Sequence, residues 1–235
     1  VNLDKSFVSK YKYFVAEGLP LYTWYLPKFA GLDTETGESL YYRDLVDGNG
    51  TVTGQETTKD LSKATDYLIG DALAKFYGGF GTTVSYKGLD LSINMNYQIG
   101  GKAYDYTYQT LMHSGGTTAT NWHIDRLNAW TPENKNTDVP RLLLAETYSQ
   151  NGRSDRYLTN ASYLNIQNIN LGYTLPESIN KKLKTQRLRV YMAIENPFYL
   201  SARRGFDPRY SLQGFTNPEL YSPMRTISGG VNITF

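Results

Sequence analysis

LDLSINMNYQI, Leu89–Ile99, alternates without error: Leu89, Leu91, Ile93, Met95, Tyr97 and Ile99 interleave with Asp90, Ser92, Asn94, Asn96 and Gln98. Side chains of a strand point alternately to its two faces, so the stretch reads as a strand with one apolar and one polar face. Upstream, Phe80, Thr82, Val84 and Tyr86 keep the rhythm against Gly81, Thr83, Ser85 and Lys87, and Lys87-Gly88 reads as the tight turn of a hairpin. Downstream, Leu188, Val190, Met192, Ile194 and Phe198 alternate with Arg187, Arg189, Tyr191, Ala193 and Glu195. The end repeats the pattern, with Ile227, Gly229, Val231, Ile233 and Phe235 set against Thr226, Ser228, Gly230, Asn232 and Thr234. In residues 161–175 the phase switches, Leu164 and Ile166 holding one and Ile169, Leu171, Tyr173 and Leu175 the other. One extra residue near Gln167-Asn168, a β-bulge, restores a common face. Two weaker strands are expected at residues 7–16 and 21–30, the second interrupted around Pro20 and Pro27.

The links between these strands fall into two kinds. Residues 17–20, Lys87-Gly88 and residues 176–186 are short, whereas 31–77, 100–160 and 199–225 are long. In an up-and-down meander successive links alternate between the two ends, so all long links share one end, as in outer-membrane barrels with short periplasmic turns and long extracellular loops. Aromatic side chains agree, with Tyr86, Tyr173 and Phe235 toward the short-link end of the apolar face and Phe80, Tyr97 and Phe198 toward the other. A soluble antiparallel sandwich would alternate equally well and stays open at this point.

Composition narrows the classes. The 235 residues carry 20% charged side chains, a net charge of +2 and a mean hydropathy of −0.48, which excludes the field of a dedicated nucleic-acid binder and the bulk of a helical membrane protein. The absence of Cys removes disulfides, thiolate metal sites and cysteine nucleophiles. Tyr outnumbers Phe by 21 to 9 and Gly is 21, which suits β-structure at an interface wet on one side. The stretch from Val1 has no basic region followed by an apolar one, so no signal peptide is expected in it.

Several stretches resemble one family. SYLNIQNINLGYTLP from Ser162, LRVYMAIENPF from Leu188, GFDPRY from Gly205 and YSPMRTISGGVNITF ending at Phe235 are similar to the C-terminal barrel region of SusC/RagA-type TonB-dependent outer-membrane transporters. LYTWYLPKFAGLDTETGESLYY from Leu21, GGFGTTVSYKGLDLSINMNYQIGGKAYD from Gly78 and NAWTPENKNTDVPRL from Asn128 extend the resemblance upstream. It implies an all-β fold, an antiparallel transmembrane β-barrel segment of about seven C-terminal strands from a barrel of about 22, with long extracellular loops. Residues 1–235 would then be the C-terminal part of the barrel, the plug domain and N-terminal strands lying outside this chain. Seven strands cannot close around a plugged lumen, and an open edge in lipid leaves backbone groups unpaired. The implied partners are the rest of the same transporter, a SusD/RagB-like surface lipoprotein, TonB acting through the plug, the barrel-assembly machinery and outer-membrane lipid. No nucleic acid and no cofactor are expected. The implied function is that of wall and extracellular loops in an energised importer of oligosaccharides or peptides. The rivals are a soluble glycan-binding β-sandwich and a small self-contained outer-membrane barrel; an enzyme is disfavoured because no nucleophile, base or metal constellation stands out.

Candidate site residues follow from both readings. Tyr104, Tyr106, Tyr108, Trp122 and Trp130 crowd the longest expected extracellular loop, where flat rings suit stacking on a sugar or packing on a peptide side chain, or simply fill the loop interior. Residues 122–130 are expected to form a short helix ending before Thr131-Pro132. Gly230, Val231, Ile233 and Phe235 resemble the C-terminal signal read by the barrel-assembly machinery. DLVDGNGTVT from Asp44 places Asp47 and Asn49 as in a calcium loop, but Thr51 takes the fifth position and no Glu the twelfth, so a Gly/Asn turn is the better reading. His113 and His123 have no partner at ligand spacing, and no metal site is expected. The polar strand positions (Ser92, Asn94, Asn96, Gln98, Glu195) should line the barrel interior, with Arg187 and Arg189 at its periplasmic rim.

Overall fold

The computed structural model describes residues 6–9, 12–115, 121–143, 148–203, 205–215 and 221–235. In chain order the strands are β1 (Phe7–Val8), β2 (Tyr13–Val15), β3 (Thr23–Pro27), β4 (Phe29–Leu32), β5 (Ser39–Val46), β6 (Val52–Thr58), β7 (Asp66–Asp71), β8 (Phe76–Tyr86), β9 (Leu89–Ile99) and β10 (Lys102–Tyr104). Helices α1 (Tyr106–Leu111) and α2 (Tyr148–Asn151) precede β11 (Leu158–Asn160) and β12 (Tyr163–Thr174); α3 (Glu177–Lys182) joins β12 to β13 (Arg187–Ser201), and β14 (Thr226–Thr234) follows. The chain divides into two compact units.

One unit, residues 74–100, 160–208 and 219–235, is a five-stranded antiparallel sheet in the order β14-β13-β12-β9-β8. Its strands are sequential neighbours, a meander with no crossover. Lys87 and Gly88 take φ of 47° and 88°, the two left-handed residues that a two-residue hairpin turn requires. The bulge stands where the alternation slips: both ladders of β12 shift register between Ile166 and Asn168. On the β13 side, Asn196 (φ 48°) and Pro197 fall opposite Gln167, and a bulge is where a strand tolerates a residue without an N–H.

The result is a continuous apolar face. Tyr86, Leu89, Tyr173, Val190 and Val231 form one cross-strand row, and Phe80, Met95, Ile166 and Phe198 another. Between them lie Ile93, Ile169, Ile194 and Ile227. The two aromatic rows are six residues apart on β8, roughly 20 Å along the strand, close to the apolar height of an outer-membrane barrel wall. A sandwich would bury this face against a second sheet, yet Phe80, Val84, Val190 and Ile227 are all exposed, Val84 at 58%. The outer edges of β8 and β14 have no ladder partner among the described residues, so the sheet does not close into a small barrel of its own.

The other unit comprises residues 1–73, 101–159 and 209–218. By connectivity, 101–159 are inserted between β9 and β12 and 209–218 between β13 and β14, both leaving the sheet at the end opposite Lys87-Gly88. This unit holds a four-stranded sheet (β1-β2-β3-β7) and a three-stranded one (β4-β5-β6). Its core gathers Tyr13, Trp24, Leu26, Ala72, Tyr104, Met112, Ala129, Val139 and Tyr157.

Here the structure corrects the sequence. Residues 7–16 are not one strand but the hairpin β1-β2, turned where Lys12 adopts φ of 66° and donates its N–H to the Ser9 carbonyl. Residues 21–30 are split between β3 and β4, which belong to different sheets, and β3 ends at Pro27. Neither pairs with the five-stranded sheet, so five strands, not seven, share its ladder. The long link 31–77 contains β5, β6 and β7, and the short link 176–186 contains α3.

Candidate functional site

Two surfaces carry the candidate side chains: the polar face of the five-stranded sheet and the surface of the other unit.

On the polar face, Asp90, Gly172 and Tyr191 occupy one cross-strand row near the turn end, and Arg189 lies on the same face opposite Thr174, nearer the turn. Arg189 reaches over β12 to Asp90, with Nε–Oδ1 at 3.1 Å and Nη2–Oδ2 at 2.5 Å, a two-pronged pairing that fits the planar guanidinium to the carboxylate. It can do so because position 172 has no side chain: a Cβ there would lie 2.0 Å from Arg189 Nη2. In the same way the Tyr191 ring lies over Gly230, its cross-strand partner. Asn168 Oδ1 accepts from Asn94 Nδ2 (3.0 Å) and Asn170 Nδ2 (3.2 Å), so the middle of the face is a hydrogen-bonded polar surface. Arg187 is exposed beyond this row, one residue from the start of the turn region. Val231 and Ile233 are exposed on the apolar face and Phe235 projects at 81% exposure, while Gly230 sits on the polar one.

The five candidate aromatics separate by burial. Tyr104 is fully buried, stacked on Phe215 with centroids 5.7 Å apart and planes at 6°, and packed against Trp24 and Tyr157. Trp130 is buried too, its indole seated on Gly37, where a Cβ would come within 2.4 Å of the ring. Tyr106 and Tyr108 are half-buried against the core, and Tyr108 donates its hydroxyl to Asp125 at 2.7 Å. Trp122 is 51% exposed, its Nε1 donating to His113 Nδ1 at 3.2 Å. Residues Ile124–Asn128 form a single 3-10 turn in place of the expected helix, capped by His123, whose Nδ1 accepts from the Asp125 N–H. This turn presents Ile124 and Leu127, the latter 87% exposed, alongside Trp122 in the sequence. Sequence reading passed over both, because apolar residues three apart look like the inner stripe of a helix.

A charge network organises the β4-β5 turn. Lys59 Nζ lies 2.7 Å from both Asp33 Oδ2 and Glu38 Oε2, and Arg141 Nη2 is 3.3 Å from Glu38 Oε1. Lys59, aided by the Glu35 and Thr36 N–H groups, holds the Asp33 carboxyl well below the usual carboxylate range; it lowers Glu38 as well, and its own pKa is raised in return. The Arg141 N–H donates to Gly37 O at 3.0 Å, so the network fastens the stretch after Trp130 to this turn. Asp155, accepting from the Phe29 N–H at 2.7 Å, is pushed upward by burial.

The Asp47 loop is an Asx turn closing the β5-β6 hairpin: Asp47 Oδ1 accepts from the Asn49 and Thr51 N–H groups at 2.9 and 2.8 Å. Among the described residues no group of three or more His, Asp or Glu is arranged to hold a metal ion, and no helix is long and apolar enough to cross a membrane.

No protein-family model matches the chain. The chain is 32% identical over 213 residues to TonB-dependent receptor P3 of Formosa agariphila, covering 86% of this chain and 19% of that protein. It is 26% identical over 193 residues to the TonB-dependent receptor SusC of Bacteroides thetaiotaomicron, covering 80% and 17%. Among solved structures, the RagAB peptide importer in its closed-closed state matches with a TM-score of 0.80 and 28% identity, over 100% of this chain and 25% of that one. The chain thus spans less than a fifth of the length of these two curated relatives. Similarity of sequence and of backbone agree with the uncovered apolar sheet face: the chain belongs to the SusC/RagA family of TonB-dependent receptors, β-barrel transporters of the outer membrane and not enzymes.

Proposed function

We propose that this chain is the C-terminal part of the barrel wall of such a receptor, and that the unit containing residues 101–159 forms its extracellular loops. The observation that carries the reading is the five-strand apolar face, from which both insertions depart at one end while Lys87-Gly88 and the α3 link turn at the other. Short turns face the periplasm and long loops the outside in barrels of this kind. The polar face, with Asn94, Asn168, Asn170 and the Asp90–Arg189 pair, lines the lumen side and meets the plug or lumen water. β8 and β14 pair with strands outside this chain, since an unpaired edge in hydrocarbon costs several kcal/mol per backbone group.

The complete receptor imports oligosaccharides or peptides, beneath a SusD/RagB-like lipoprotein and with TonB pulling on the plug. The solved relative named as a peptide importer supports the peptide branch. Trp122, with Ile124 and Leu127, is the apolar part of the insertion best exposed, among the described residues, to touch ligand or lid. Gly230, Val231, Ile233 and Phe235 serve as the strand signal for the barrel-assembly machinery. The test is to purify the full receptor from the outer membrane with its lipoprotein and to identify co-purifying small molecules. Retained peptides or oligosaccharides whose uptake stops when the proton gradient is collapsed support the reading; a complex that takes up neither overturns it.

A further inference from the structure

The short-link end of the sheet carries charge out of proportion to the chain. Lys87, Lys181, Lys182, Lys184 and Arg187 gather there against two carboxylates, Glu177 and Asp90, the second already paired with Arg189, whereas the whole chain is only +2. Glu177 pairs with Lys181 at 2.8 Å on adjacent turns of α3, and all five cations are exposed. The link is held in place: buried Asn180 donates Nδ2 to Leu175 O at 3.0 Å and accepts the Thr185 N–H through its carbonyl, and the Gln186 N–H donates to Thr234 O. With Asn180 turned inward, Ile179 and Leu183, four residues apart on one side of the helical turn, are left exposed beside the lysines. The apolar face of the sheet ends immediately before this turn, in the row of Tyr86, Leu89 and Tyr173.

Apolar side chains next to a fixed cluster of long cationic ones, at the boundary of a lipid-facing wall, form an interfacial element: the aliphatic groups enter the edge of the hydrocarbon while the ammonium groups reach headgroup phosphates. We propose that this end of the sheet is a binding surface for anionic phospholipid of the periplasmic leaflet, with Lys181, Lys182 and Lys184 as the phosphate contacts and Lys87 and Arg187 as flanking charge. The naming of the leaflet rests on the sidedness given under the proposed function; the lipid contact itself does not. Electrostatic attraction of this kind is worth about 1 kcal/mol per basic residue near the surface, about fivefold in local lipid concentration.

The full receptor is reconstituted in nanodiscs of equimolar phosphatidylglycerol and phosphatidylcholine, extracted into mild detergent, and the retained lipid is measured by mass spectrometry. Wild-type receptor is expected to retain phosphatidylglycerol in excess, and the variant Lys181→Gln/Lys182→Gln/Lys184→Gln to lose that excess at least about fivefold, the equivalent of one such charge. The corresponding triple Lys→Arg variant keeps it. Equal retention by wild type and the Gln variant overturns the lipid contact, all the more so if the Gln variant also melts earlier, which would assign the charges to protein packing. Sidedness is read separately by labelling Lys184→Cys with an impermeant maleimide. Reaction only after lysis supports the periplasmic leaflet, and reaction on intact cells overturns it while leaving the lipid measurement to stand or fall alone.

Discussion

Gly172 shows how one missing side chain organises a barrel wall. It leaves the corridor through which Arg189 reaches Asp90, tying β9 to β13 across the strand between them. Gly172→Ala is therefore expected to lower the melting temperature of the folded receptor by about as much as Asp90→Asn does, and the double variant by little more than either alone, since both remove one interaction. Fully additive losses in a thermal shift series would refute the shared mechanism. At Lys59 the expectation concerns acid. The Asp33 and Glu38 carboxyls are depressed in the folded state, so their contribution is present above their ordinary values of 3.8 and 4.5 and is lost as pH falls through the lower folded ones. Lys59→Met should move that acid loss upward toward the ordinary carboxylate range, as followed by intrinsic fluorescence across a pH series. Asp155 has the opposite sign: its folded pKa is raised, so its contribution is fullest below 3.8 and is lost as pH rises through the folded value. Asp155→Asn, which still accepts the Phe29 N–H, should leave melting at neutral pH unchanged or higher and flatten its dependence on pH above 3.8.

At the scale of elements, the bulge in β12 is the point on which the wall's chemistry turns. Deleting Gln167 leaves Leu164, Ile166, Ile169 and Leu171 in strict alternation on one face, whereas deleting Asn170 would put Leu171 and Tyr173 on the polar face, because a slip of one residue exchanges the faces of a strand. Deletion of Asn170 is expected to abolish the heat-modifiable, folded form of the receptor on gels, while deletion of Gln167 retains it. This element was legible beforehand, since the switch of phase between Ile166 and Ile169 is visible in the letters. β3 was legible as a strand within residues 21–30 but its end and its sheet were not, because Thr23, Trp24, Leu26 and Pro27 are buried on both faces and leave no alternation to read. β6, VTGQETT, has no large apolar residue after Val52 and pairs as a hairpin arm with β5, a partnership set by the Asp47 turn and not by hydrophobic period. The aromatic cluster was legible as a cluster and not by role: Tyr104 and Trp122 are alike as side chains, and only the fold sends one to the centre and the other to the surface. Tyr104→Ala should cost about 3–5 kcal/mol and loosen the inserted unit. Trp122→Ala should leave melting unchanged and weaken capture of ligand or lipoprotein in a binding titration.

Taken whole, the chain keeps its aliphatic and aromatic capital in two different places. The cluster around Trp24 and Tyr104 lies within one unit, closed away from solvent, while the apolar side chains of the five-stranded sheet stand in the open. Each unit consequently answers to a different surrounding medium. Denaturant dissolved in water acts on the first and has little to grip on the second, which is held by backbone ladders and by whatever hydrocarbon bathes it. The expected result is a biphasic urea titration of the reconstituted receptor, with Trp fluorescence changing early and strand circular dichroism late; a single coincident transition would refute it. Exchanging one detergent for another should move only the later step. A buffer screen chosen for the stability of the wall can therefore hand over a receptor whose barrel is intact and whose outer apparatus has already melted, a preparation that looks sound by size and spectrum and recognises nothing.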